Sequence, residues 1–159
     1  MLKNTLLPMA ITCKLPTDKP FLVLEDDGTN SPLDHQRVIS KLTTELGVLF
    51  YHRKTISLEP LPETPLGEGS GYPVPDVLLF DRDAEKSRII IEICNNRTFD
   101  NDVRKIIRLI EDDQYGILEG FVYNYRTGEW RRYRLGDGGI ATESSVSEVL
   151  SGVSLGTML

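Results

Sequence analysis

Two short apolar runs, Val77 to Phe80 and Ile89 to Cys94, constrain this chain more than any other feature, because only Glu92 interrupts them. Each is too short for a helix and rich in strand-favouring residues, and the polar segment Asp81 to Arg88 joins them. Together they read as a hairpin of buried strands. With its turn centred near Ala84, Asp76 falls opposite Glu92. Directly opposed residues of an antiparallel pair share a face, with Cβ atoms about 4.5 to 5.5 Å apart. Carboxylates that close repel, and a glutamate among Ile89, Ile90, Ile91 and Ile93 also loses solvation. Something positive should sit between them.

A hard divalent cation satisfies both groups at once, and Mg²⁺ in particular binds through one or two carboxylates while keeping several waters. A structural alternative stands beside it: Asp76 merely starts a strand after Pro75, and Glu92 pairs with an arginine such as Arg97 or Arg104.

The remainder of the chain supplies a frame for this hairpin. Residues Phe21 to Leu24 form a short candidate strand, followed by turn residues Asp26, Asp27, Gly28 and Asn30. Ser31 then reads as an N-cap and Pro32 as the first helical position. Behind them Val38, Ile39, Leu42, Leu46 and Leu49 recur at helical spacing, predicting an amphipathic helix over Pro32 to Leu49. Alternation of Ile56 and Leu58 predicts a strand over Lys54 to Glu59. The segment Pro60 to Pro73 reads as a flexible loop; its Gly67, Gly69 and Gly71 are followed by no GKS or GKT, so no phosphate loop is expected. Thr98 should cap a second helix to about Glu111, with Phe99, Val103, Ile106, Ile107 and Ile110 on one face. A second hairpin spans Gly120 to Tyr125 and Glu129 to Leu135, and the tail is expected to end in a short helix from Ser145 to about Leu150.

These elements fit one α/β domain over 1–159, with an N-terminal arm over 1–20 and a tail over 136–159; 159 residues at 40% hydrophobic and 26% charged match that size class. No apolar run reaches the roughly 18 to 20 residues of a membrane span, and Leu6 to Ile11 is short and broken by Pro8. A lipoprotein signal at Cys13 is disfavoured by Thr12, where a small residue is wanted. Cys13 and Cys94 form no CxxC, so neither zinc nor a disulfide framework is indicated and the cytoplasm is the expected setting. A net charge of −6 argues against a protein that coats nucleic acid non-specifically, though not against a local basic face.

Pro75-Asp76, a hairpin-length gap and then Glu92-Ile93-Cys94 resemble the PD-(D/E)XK nuclease pattern. The order of elements is more closely similar to the Uma-two family of restriction-endonuclease-like proteins. The matching pieces are Ser31-Pro32 with His35 opening a helix, PDV at Pro75 to Val77, the apolar strand ending in Glu92-Ile93, and DVRK at Asp102 to Lys105. The hairpin FVYNYRTGEWRRYRL fills the place of two further core strands, so the likeness spans roughly residues 31 to 135. The resemblance implies a restriction-endonuclease-like core, a mixed central β-sheet flanked by helices. It also implies Mg²⁺ or Mn²⁺ held by Asp76, Glu92 and the main-chain carbonyl of Ile93.

This chain departs from the pattern at Cys94, where lysine is expected, since a thiol supplies no fixed positive charge. Lys105 is the candidate replacement from the following helix; equally, it reads as a solvated lysine paired with Asp102 at i, i+3. Glu45 flanks the first helix's apolar stripe but reads as a surface glutamate, His35 as a satisfied core histidine, and His52 has no evident partner. Arg126, Arg131, Arg132 and Arg134, with Tyr123, Tyr125, Trp130 and Tyr133, offer phosphate and stacking contacts, or else a charge-protected edge hairpin. The same aromatic hairpin is a candidate homodimer surface. The functional expectation is a metal-dependent nuclease acting on phosphodiesters, DNA first, with Asp76, Glu92 and Lys105 as its catalytic residues. Its rivals are a degenerate fold member that binds nucleic acid or protein without cutting, and a metal hydrolase of another substrate.

Overall fold

A computed structural model describes residues 32–112 and 115–159. The expected strand Phe21 to Leu24, its turn, the Ser31 cap, Cys13 and the arm over 1–20 lie outside them. Five strands, β1 (Glu59–Pro62), β2 (Val77–Asp81), β3 (Lys86–Cys94), β4 (Glu119–Asn124) and β5 (Glu129–Arg134), form one sheet in sequential order. All neighbours are antiparallel except β3 and β4, which run parallel and are joined by helix α2 (Phe99–Glu111). Helix α1 (Pro32–Gly47) covers the opposite face.

The period of two decides which side chain goes where. Val77, Leu79, Ile89, Ile91, Ile93 and Phe121 face α1 and pack with Ile39, Leu42 and Leu46, whereas Leu78, Ile90, Cys94, Val122 and Tyr133 face α2 and pack with Phe99, Ile106 and Leu109. With both faces covered, β3 carries an almost unbroken apolar run. Glu92 belongs to the α2 face by parity.

Helix α2 rides close to the sheet because Gly120 has no side chain. A Cβ there would stand 3.0 Å from Ile110 Cδ1 and 3.3 Å from Ile106 Cβ. Gly120→Ala is therefore expected to destabilise the fold by about 1 kcal/mol through overpacking, measurable as a lowered urea midpoint with unchanged m-value.

Several expected boundaries move. α1 gives way to a π-helical turn, Val48–Arg53, closed by Lys54 in the left-handed region and by a Thr55 N–H to Leu49 carbonyl bond. That closure holds 54 and 55 out of any strand, so β1 begins later, at Glu59, although Ile56 and Leu58 are buried as expected. Pro60 and Pro62 are tolerated because β1 is an edge strand, where a missing N–H breaks no second ladder. Thr98 occupies the cap position of α2 but makes no side-chain cap bond.

The tail is not a helix over Ser145 to Leu150. It forms a small hairpin, β6 (Val146–Ser147) and β7 (Val153–Ser154), followed by a 3₁₀ turn, Leu155–Met158. The fully buried carboxylate of Glu119 dictates this: it accepts the Ser147 hydroxyl at 2.5 Å and the Glu148 N–H at 3.1 Å, which ties 147 and 148 to β4. Among the described residues no helix is long and apolar enough to cross a membrane.

Candidate active site

The β2–β3 register pairs Val77 with Ile91, and the next step outward brings Asp76 opposite Glu92. Asp76 is fixed by its own backbone, whose carbonyl accepts the Glu63 N–H at 3.0 Å, one position beyond the β1–β2 ladder. Its carboxylate is fixed as well. Oδ2 accepts the Ile93 N–H at 2.6 Å and lies 3.2 Å from His35 Nε2. The Asp76 carboxylate, first by this hydrogen bond, holds the His35 imidazole above its ordinary value.

Glu92 sits one residue before that anchor, 5% exposed. Burial is the largest influence and pushes its carboxyl up to about 7, against the pull of Lys105 and with the push of Asp76 and Asp102. Lys105 Nζ lies 2.8 Å from Glu92 Oε1, and this ammonium is the cation that meets the buried carboxylate. Helix α2 brings Asp102 to the same place. Burial raises this carboxyl, while the Thr98 hydroxyl and then the Lys105 ammonium draw it down.

The structure resolves the pairings the sequence left open. Glu92 meets Lys105 rather than Arg97 or Arg104; Arg97 is exposed and Arg104 turns to Asn101 at 2.5 Å. Cys94 is buried beside Val122 and Phe99, and burial pushes its thiol up to about 12, so it is neither a charge nor a nucleophile here. Glu45 is exposed on the outer side of α1, with Lys41 and Thr44. His52 is exposed as well.

One expectation about the second hairpin is overturned, the availability of Trp130 and Tyr133 for stacking. Trp130 and Tyr133 are 8% and 0% exposed, and Trp130 packs on Phe121 and Tyr123 with ring centroids 6.2 and 4.7 Å away. They are core, not a stacking platform: Trp130 lies under the tail with Leu150 and Leu155, and Tyr133 lies under α2 with Phe99, Ile106 and Leu109. Of the hairpin's aromatics, Tyr123 and Tyr125 remain half-buried. Arg134 is engaged by Asp137 and Glu148, and Arg131 by Glu129 while stacked on Phe99.

His35 is a satisfied histidine, as expected, but its partner is Asp76 and it stands at the 21% exposed end of the stripe rather than in the core. Its signal was present: it is a polar residue heading the stripe His35, Ile39, Leu42 and Leu46, where an apolar side chain would otherwise pack.

No protein-family model matches this chain, and no curated protein does. Among solved structures it is similar to a candidate nuclease belonging to DUF820 from Anabaena variabilis, with a TM-score of 0.59 at 15% identity, over 79% of each chain. The fold is restriction-endonuclease-like. A looser likeness, to DrdV in its complex with DNA, has a TM-score of 0.37 at 14% identity over 67% of this chain and 12% of the other.

What the site can hold follows from its donors. Among the described residues no three His, Cys, Asp or Glu side chains gather into a closed metal cage. Asp76 and Glu92, opposed in register, are oxygen donors of the kind that a hard cation takes while keeping its waters. The buried Oε1 of Glu92 already draws the Lys105 ammonium to 2.8 Å, so its surroundings favour positive charge.

Proposed function

We propose that this protein is a metal-dependent nuclease-type hydrolase of phosphodiesters, with DNA as its substrate. The observation that carries this reading is the buried Glu92 carboxylate, set against Lys105 at 2.8 Å, one residue before the amide that pins Asp76. Asp76, Glu92 and the Ile93 carbonyl would hold Mg²⁺ or Mn²⁺. When bound, the cation would offset the negative charge that develops on a phosphodiester and make an attacking water more acidic.

The remaining work belongs to the chain's own residues. Asp76 presents a fixed carboxylate, because strand β3 holds one of its oxygens. Lys105 takes the part that Cys94 cannot. Its ammonium reaches Glu92 from α2 and supplies a fixed positive charge beside the phosphate, a role that depends on position in space rather than on strand sequence. The low accessibility of Glu92 keeps bulk water from screening these charges.

The test is cleavage of supercoiled plasmid with Mn²⁺ or Mg²⁺, and Lys105→Met should lower the rate by about 10²-fold or more while the fold, followed by circular dichroism, persists. Equal rates in wild type and Lys105→Met would remove Lys105 from the chemistry. A non-cleaving member of the fold that binds nucleic acid or a partner protein is the second reading, favoured by Cys94 in place of lysine and, for a protein partner, by the net charge of −6. DNA binding with no metal-stimulated cutting would select it.

A further inference from the structure

We propose that His35 is a positioning residue that locks the Asp76 carboxylate in the rotation needed to present Oδ1 to the cation. This rests on the metal-dependent reading above and assigns a part of the site to helix α1.

The hydrogen bonds described for the Asp76 side chain both fall on one oxygen. Ile93 N–H reaches Oδ2 at 2.6 Å from strand β3, and His35 Nε2 reaches the same atom at 3.2 Å from α1. None is described on Oδ1. A carboxylate held by a single donor can still swing about that bond, whereas donors from two separate elements fix its plane. The imidazole can donate here as the Nε2–H tautomer or as the imidazolium, and the acceptor oxygen requires one of the two.

Burial of the pair supports a positioning role. The His35 and Asp76 side chains are 21% and 17% exposed, so water competes weakly for their contact while a route to Asp76 stays open. The rest of α1 keeps His35 in place: Ile39, Leu42 and Leu46, on the same stripe, are buried in the sheet-facing core. The first turn therefore overhangs the end of the sheet where β2 begins. His35 donates to the carboxylate rather than joining the ligand set, because its Nε2 is spent on Asp76 Oδ2. Partners that hold a ligating carboxylate typically influence metal affinity by 10- to 100-fold.

The experiment is calorimetric titration of Mn²⁺ into wild type, His35→Leu and His35→Gln, with thermal melts of each. His35→Leu is expected to weaken Mn²⁺ binding by roughly 10- to 100-fold, and His35→Gln, which keeps an N–H donor, to recover most of the affinity. In an Asp76→Asn background the His35→Leu change should have no further effect. Equal Mn²⁺ affinity in wild type and His35→Leu would overturn the proposal and leave the metal reading intact. Equal weakening in His35→Leu and His35→Gln would also overturn it, since only packing would then be at stake. Absence of Mn²⁺ binding by wild type would remove the metal reading and this proposal together. If His35→Leu does not fold, His35→Ala serves as the donor-less variant under the same criteria.

Discussion

Glu92→Gln is expected to abolish metal-stimulated cleavage and, at the same time, to make the metal-free protein more stable at pH 8. The two effects share one cause. Glu92 is buried, and burial lifts its carboxyl from an ordinary 4.5 to about 7 in the fold. A raised carboxyl binds its proton more tightly folded than unfolded, so folding is favoured at low pH and loses stability as pH climbs from about 4.5 through 7. This is the reverse of the usual acidic group. The shift corresponds to roughly 3 kcal/mol lost once pH exceeds the folded value.

Glutamine cannot ionise, so the variant escapes that loss. Denaturant unfolding without divalent cations should show wild type and Glu92→Gln nearly equal at pH 5, with the variant ahead by roughly 3 kcal/mol at pH 8. Comparing two chains isolates this residue from groups that act in the opposite direction, such as Asp81 and Asp137, whose hydrogen bonds lower their carboxyls. A gap that does not change with pH would mean that Glu92 is not a buried titrating acid. Cleavage retained in the variant would mean that the acid is dispensable to chemistry. Stability given up at one carboxylate is what a site built for a cation requires, since the cation needs the charge that the fold alone disfavours.

The second large effect lies on the other side of Lys105. Ile106 is fully buried between α2 and β4, against Gly120. Ile106→Ala removes three carbons from a packed seam and should destabilise the fold by about 2 to 5 kcal/mol. Its neighbour in sequence is the lysine that meets Glu92, so the same change loosens the 2.8 Å ion pair. Plasmid cleavage, measured where both proteins are fully folded, should fall along with stability. A normal rate per folded molecule would show that α2 packing does not govern where Lys105 stands.

Asp76 was legible because nothing distant is needed to place it. A strand repeats every two residues, and a turn near Ala84 sets Val77 against Ile91. A bulge between Leu79 and Phe80 shifts the pairing toward the turn, yet the outer half keeps the register that puts Asp76 opposite Glu92. The two long helices were legible for a similar reason, since their apolar residues recur along one face. Burial of both sheet faces was implied by the unbroken isoleucines of β3.

The tail failed as a sequence reading because a single residue far from it, Glu119, offers hydrogen bonds that a helix over 145–150 would not use. Aromatic residues of the second hairpin failed likewise. Tyr133 and Trp130 carry no mark that tells an exposed face from a covered one; the seating of α2 decides it for Tyr133, and the tail, through Leu150 and Leu155, decides it for Trp130.

By itself, then, the sequence determined the hairpin, its register and the opposition of two carboxylates, since these follow from local periodicity and turn length. Tertiary structure alone decided their company: Lys105 rather than an arginine at Glu92, and His35, 41 positions away in the chain, on Asp76. Contacts between elements depend on how helices seat on a sheet, which Gly120, Ile106 and the apolar stripe of α1 set together through packing.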